Sequence, residues 1–109
     1  MPCFYQYRYY TERIKASQIS FLSKAASRIG ATLRDTTSGY AVAFSNGSRA
    51  TISNSVDGSE YLVSSRDENS VGILMQELVV GKLKADLELE GKSVERRDVK
   101  GEIELVVSE

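Results

Sequence analysis

The sequence predicts an α+β fold: two helices packed on one antiparallel sheet, in the order β-α-β-β-β-β-α-β-β. Three observations lead there. Apolar residues recur at helical spacing in two stretches, 17–30 and 65–90. Short alternating runs with glycine turns surround and separate them, as strands and hairpins do. The links between those runs are too short for parallel crossovers, so the strands are antiparallel. Each helix has one apolar stripe to bury, and one face of a sheet can take both. At 109 residues the chain forms a single domain, 1–109, with room for one core.

The first strand runs from Cys3 to about Ile14. Tyr5, Tyr7 and Tyr9 share one of its faces, and Phe4, Gln6, Arg8 and Tyr10 the other. Aromatic residues favour this conformation. Ser17 is a good N-cap for the first helix. Leu22, Ala25, Ala26 and Ile29 form its stripe with Phe21 beside them, and Gly30 stands at its C-terminal end. Ser20, Ser23, Lys24, Ser27 and Arg28 face water. Strands follow at Ala31–Thr36, Tyr40–Phe44, Arg49–Ser53 and Glu60–Ser64. Ser38-Gly39, Asn46-Gly47 and Asp57-Gly58 turn the chain between them.

Ser65-Arg66-Asp67-Glu68 has the spacing of a capping box and opens the second helix, which reaches about Glu90. Val71, Leu74, Met75, Leu78 and Val79 make its stripe, extended by Leu83 and Leu87. Gly81 inside it implies a kink or a close packing contact. After Gly91, Lys92–Asp98 and Glu102–Val107 form a last hairpin around Lys100-Gly101. Val94, Ile103, Leu105 and Val107 point inward, and Arg96, Glu102 and Glu104 outward. The sheet then has six or seven strands. A helix, a glycine, a strand, a glycine turn and a strand occur at 18–44 and again at 67–107, either as a duplicated unit or because any such unit needs those glycines.

Composition narrows the function. The apolar share is 41% and the charged share 27%, which describes an ordinary folded domain. No apolar run approaches the ~20 residues of a membrane span. The opening residues lack the form of a secretory leader, and Cys3, the single cysteine, rules out an internal disulfide; both point to the cytoplasm. There is no His. That removes the side chain best suited to proton transfer near neutral pH, the Ser–His and Cys–His nucleophile pairs, and the usual zinc sites. The chain reads as a non-enzyme without cofactor or metal.

Charge is divided between the halves. Residues 1–50 carry seven Lys or Arg against Glu12 and Asp35; residues 51–109 carry seven against thirteen Asp or Glu. Such asymmetry marks a surface that meets opposite charge, in a partner or in the chain's own other half. Lys15, Lys24, Arg28, Arg34 and Arg49 form a patch only if the fold gathers them. If the halves occupy opposite faces the molecule is a dipole, and self-association follows.

The layout from Ser17 to Thr36, the hairpins, the run Leu87-Glu88-Leu89-Glu90-Gly91-Lys92-Ser93-Val94-Glu95 and the ending Gly101-Glu102-Ile103-Glu104-Leu105-Val106-Val107 resembles a small family of conserved open reading frames of cyanobacteria and plastids. The resemblance covers most of the chain as layout, and the Tyr-rich first strand departs from it. It implies a fold and no activity.

The candidate binding residues are Tyr5, Tyr7, Tyr9, Arg8 and Arg13. The leading expectation is an interaction module that docks a protein partner, or a second copy as a homodimer, through the Tyr-rich strand or a sheet edge. The alternative is single-stranded DNA or RNA, whose bases stack on rings while guanidinium groups meet phosphates. A third is a carboxylate hydrolase with an oxygen-ligated metal. The acidic group Asp86, Glu88, Glu90, Glu95, Asp98, Glu102 and Glu104 reads first as a salt-bridged surface.

Overall fold

The computed structural model describes residues 9–109. β1 (Tyr10–Lys15) leads through a 3-10 stretch, Ala16–Phe21, into α1 (Leu22–Arg28). β2 (Thr32–Thr36), β3 (Gly39–Ala43), β4 (Arg49–Asn54) and β5 (Glu60–Ser65) follow. α2 (Glu68–Leu89), β6 (Ser93–Val99) and β7 (Glu102–Ser108) complete the chain. Class and element order are those the sequence predicts.

β2 to β5 form an antiparallel meander, and β1 adds on the far side of β5, giving the order β1-β5-β4-β3-β2. The registers Glu12↔Val63, Ile52↔Val63, Tyr40↔Ile52 and Asp35↔Tyr40 assign one side of every strand to the helices. Ile14, Val42, Ala50, Ile52 and Val63 are buried on that side. They meet Leu22, Ala25 and Ala26 of α1 and Val71, Leu74 and Leu78 of α2, all buried as well. Alternation sends the odd positions of β1 and the even positions of β5 to the opposite side, which no helix among the described residues covers.

β6 and β7 form a two-stranded sheet of their own. Element lengths explain this. The 22-residue α2 is about 33 Å long, whereas six-residue strands span about 20 Å. The helix therefore overshoots the sheet before Gly91, at φ 84°, turns the chain. The returning hairpin lies against α2 instead of joining the strands.

Four local expectations need correction. Ser17 does not cap an α-helix. The Lys15 N–H donates to Gln18 Oε1 at 3.3 Å and the Ala16 N–H to the Ser59 carbonyl at 3.0 Å, so the turn begins two residues earlier as 3-10 helix. Ser65 is not the cap of α2. Its hydroxyl donates to the Arg49 carbonyl at 2.7 Å and accepts from the Asp67 N–H at 3.1 Å, while Asp67 caps the helix through Ser70 N–H at 3.0 Å.

Val79 and Leu83 are about half exposed, because they lie beside the core face of α2 and not on it. Arg96 points inward, across from Leu105, where it meets Glu77. Gly81 leaves α2 unbroken and faces Phe21 without crowding: a Cβ there would stand 3.6 Å from the Phe21 ring, an ordinary van der Waals contact.

Candidate functional site

Strand registers build the uncovered sheet face row by row. One row runs Thr11, Ser64, Thr51, Ala41, Arg34, and the next Arg13, Leu62, Ser53, Gly39, Thr36. Lys15 pairs Glu60 at one end of the face. At the other end Arg49 stands beside Arg66, one residue past the Ala50↔Ser65 pair, and Arg66 stands beside Tyr9. None of these side chains is fully buried. Apart from the exposed Leu62, the middle strands supply a floor of small residues, and cations stand around it.

This arrangement sorts charge by face. Arg13, Lys15, Arg34, Arg49 and Arg66 are exposed on the open side, where the strands supply one carboxylate, Glu60. Arg13 lies 3.9 Å from it. Glu12 and Asp35, the acids of the basic half, both fall on the helix side by alternation. Glu12 there accepts from the Tyr10 hydroxyl at 3.3 Å. Burial, with Glu12 next, raises the Tyr10 pKa. Lys24 and Arg28 stay on α1 and do not join the open face. The fold therefore gathers three of the five basic residues named from the sequence.

Tyr9 is 58% exposed. The Arg66 guanidinium lies 5.4 Å from the ring centre and donates to the Tyr9 hydroxyl at 3.4 Å. With Arg49, Thr51 and Ser64 they line a hollow of about 290 Å³. Of the predicted residues, Tyr9 and Arg13 share the open face, while Tyr5, Tyr7 and Arg8 lie outside the described residues. Arg66 was hidden by its place in an apparent capping box. Counting alternation from the Glu60 strand would have found it.

A larger groove of about 500 Å³ lies between α1 and α2, with Phe21 and Gly81 on its apolar side. Most of its charged lining is already committed. Glu77 takes Arg96 at 2.6 and 2.7 Å and Arg28 at 3.5 Å, and Lys84 lies 3.8 Å from Glu88. Most of the acidic group is likewise paired: Asp86 with Lys82, Glu88 with Lys84, Glu90 with Lys92, Glu95 with Arg97 and Asp98 with Arg96. Among the described residues no three acidic or cysteine side chains are placed to hold a metal ion. Nor is any helix there long and apolar enough to cross a membrane.

By fold this is an α+β protein in which, among the described residues, one face of the five-stranded sheet is open and basic. Comparison with known protein families, with curated proteins and with solved structures returns no match.

Proposed function

We propose that the protein is a non-catalytic binding module that takes a polyanion, single-stranded DNA or RNA, on the uncovered face of the five-stranded sheet. The observation that carries this reading is the sorting of charge by face. Arg34 and Arg13 stand on opposite edge strands, about 19 Å apart at the usual strand spacing. Arg49 and Arg66 close one end. The small-residue floor between them lets a backbone lie close to the sheet while guanidinium groups reach its phosphates. Tyr9 offers a ring on which a base can stack, at the end where the guanidinium groups converge.

Fluorescence anisotropy with a labelled oligothymidylate and oligouridylate of about 12 nucleotides tests it. Affinity should fall steeply as salt rises from about 20 to 200 mM. Arg49→Glu should weaken binding roughly tenfold or more, while Arg97→Glu on the hairpin leaves it near the parent value. Absence of binding at low salt, or equal effects of the two reversals, overturns the reading.

A protein partner is the second reading, favoured by one observation. The outer edge of β1 has no strand beside it among the described residues, and Arg13 and Lys15 stand on it. An acidic extended segment would add there by strand pairing. Binding of a poly-Glu peptide in place of the oligonucleotides supports it.

A further inference from the structure

We infer that β7 pairs along its free edge with β7 of a second copy of this chain, antiparallel, about a two-fold axis through Leu105. This goes beyond the sheet-face reading and uses a different part of the molecule. A two-stranded sheet is marginal in water by itself and leaves both its edges unpaired. Charge is denser on the other described edges, with Glu12, Arg13 and Lys15 on β1, Arg34 and Asp35 on β2, and Glu95 to Asp98 on β6, whereas β7 carries Glu102 and Glu104 near its turn end. β7 carries Ile103, Leu105, Val106 and Val107 and has no lysine, proline or bulge to blunt it. Val106 and Val107 are 38% and 43% exposed.

Hydrogen-bond geometry selects the register. Lys100 and Gly101 have φ of 51° and 79°, which makes the hairpin a two-residue turn with both central residues left-handed. Val99 and Glu102 then close it as a hydrogen-bonded pair, and alternation follows along the ladder. Glu102, Glu104, Val106 and Ser108 bond inward to β6. Ile103, Leu105 and Val107 turn their N–H and C=O groups to the free edge.

Two copies centred on Leu105 bring these same residues together: Ile103 meets Val107 of the second copy, and Leu105 meets its own equivalent. Each facing pair exchanges both backbone bonds, and the side chains on that surface continue one apolar ladder. On the reverse surface Glu104 meets Val106 and Glu102 meets Ser108, so no like charges oppose. β6 offers no such match. Centred on Arg96 it would set two guanidinium groups opposite each other, and Arg96 is held by Glu77. Centred on Glu104, β7 would oppose two carboxylates. The Leu105 register satisfies the greatest number of free backbone groups, and the two-fold closes the assembly at a dimer.

Sedimentation velocity of the full chain from about 1 to 100 μM tests this, with circular dichroism and melting curves as folding controls. The parent chain should be dimeric at the upper end. Val107→Pro removes a donor that the hairpin itself does not use, and should raise the dimer dissociation constant roughly tenfold or more while the fold persists. Val106→Glu places like charge against Glu104 of the second copy and should also dissociate the dimer. Adding Glu104→Lys should restore it, although within one hairpin the introduced lysine then faces Arg97 and the introduced glutamate faces Glu95. A monomer throughout the range overturns the inference, as does a dimer that none of these substitutions moves.

Discussion

Asp67, half-buried, ties a hairpin turn to a helix. One of its oxygens accepts from Asn46 Nδ2 at 2.8 Å, Ser48 Oγ at 2.7 Å and Ser70 Oγ at 2.6 Å; the other takes the Ser70 N–H at 3.0 Å. The Asn46-Gly47 turn is thereby tied to the N-terminus of α2. Ser70, then Asn46, hold the Asp67 carboxyl well below the usual carboxylate range. Asp57 is held at about 2 by Ser59 and Ser55 in the next turn. Both folded values lie below the unfolded ones, so the stability they lend is complete above about pH 4 and is lost as pH falls toward the folded values. Asp67→Ala should lower the melting temperature at pH 7 by several degrees and flatten the acid limb of a stability profile. An unchanged acid limb would place the pH dependence elsewhere. A second test is Gly39→Ala. A Cβ at Gly39, the first residue of β3, would collide with the Ile52 carbonyl oxygen in the neighbouring strand, whereas Gly58, in the link between β4 and β5, has open space. Urea unfolding should show Gly39→Ala costing about 2 kcal/mol or more and Gly58→Ala only about 1. The sequence marks both glycines as turn residues. It does not mark which one abuts a backbone, because that contact is made by a strand more than ten positions away.

At the scale of elements, the hairpin is held by one polar contact in particular. Arg96 and Glu77 side chains are 15% and 10% exposed and share two short bonds. Glu77 raises the Arg96 pKa, and Asp98 adds to it at 3.1 Å. Arg28 of α1 reaches both acids, at 3.5 Å from Glu77 and 3.2 Å from Asp98. Glu77→Ala leaves Arg96 enclosed without its partner and should destabilise by about 2 kcal/mol, with β6 and β7 amides losing hydrogen-exchange protection first. Glu77→Leu combined with Arg96→Met should recover most of that loss, since two well-packed apolar side chains replace a costly desolvated pair. A double variant as unstable as Glu77→Ala would contradict this. The order of elements and the approximate places of the turns were legible because their signals are local: alternation, a 3.6 period, glycine at left-handed positions. The expected Ser38-Gly39 turn falls one residue earlier, at Thr37-Ser38, with Gly39 already in β3. The detachment of the last hairpin was less so. It depends on α2 being longer than the strands it packs on, and on a Glu–Arg pair formed across 19 positions. Arg96 in an alternating strand looked like an outward residue for the same reason.

Over the whole molecule, a nearly neutral chain becomes a charge-sorted object. The mechanism is strand alternation. Arg13, Lys15, Arg34 and Arg49 of the first half fall on the open side and its two acids on the helix side, Lys24 and Arg28 stay on α1, and most acids of the second half lie on α2 and the hairpin. The asymmetry between halves was visible in the sequence. Which cations would share a face was not, because that requires the register of five strands. The open face and the β7 edge are separate surfaces, so the dimer inferred above would carry two sheet faces, and linked sites should bind a long strand more tightly than a short one. The most direct test follows amide resonances during titration with a single-stranded oligonucleotide. The account predicts shifts concentrated at Tyr9, Thr11, Arg34, Arg49, Thr51, Ser64 and Arg66, with α2 and the hairpin unmoved. Shifts confined to α2 or the hairpin, or none at low salt, would contradict it.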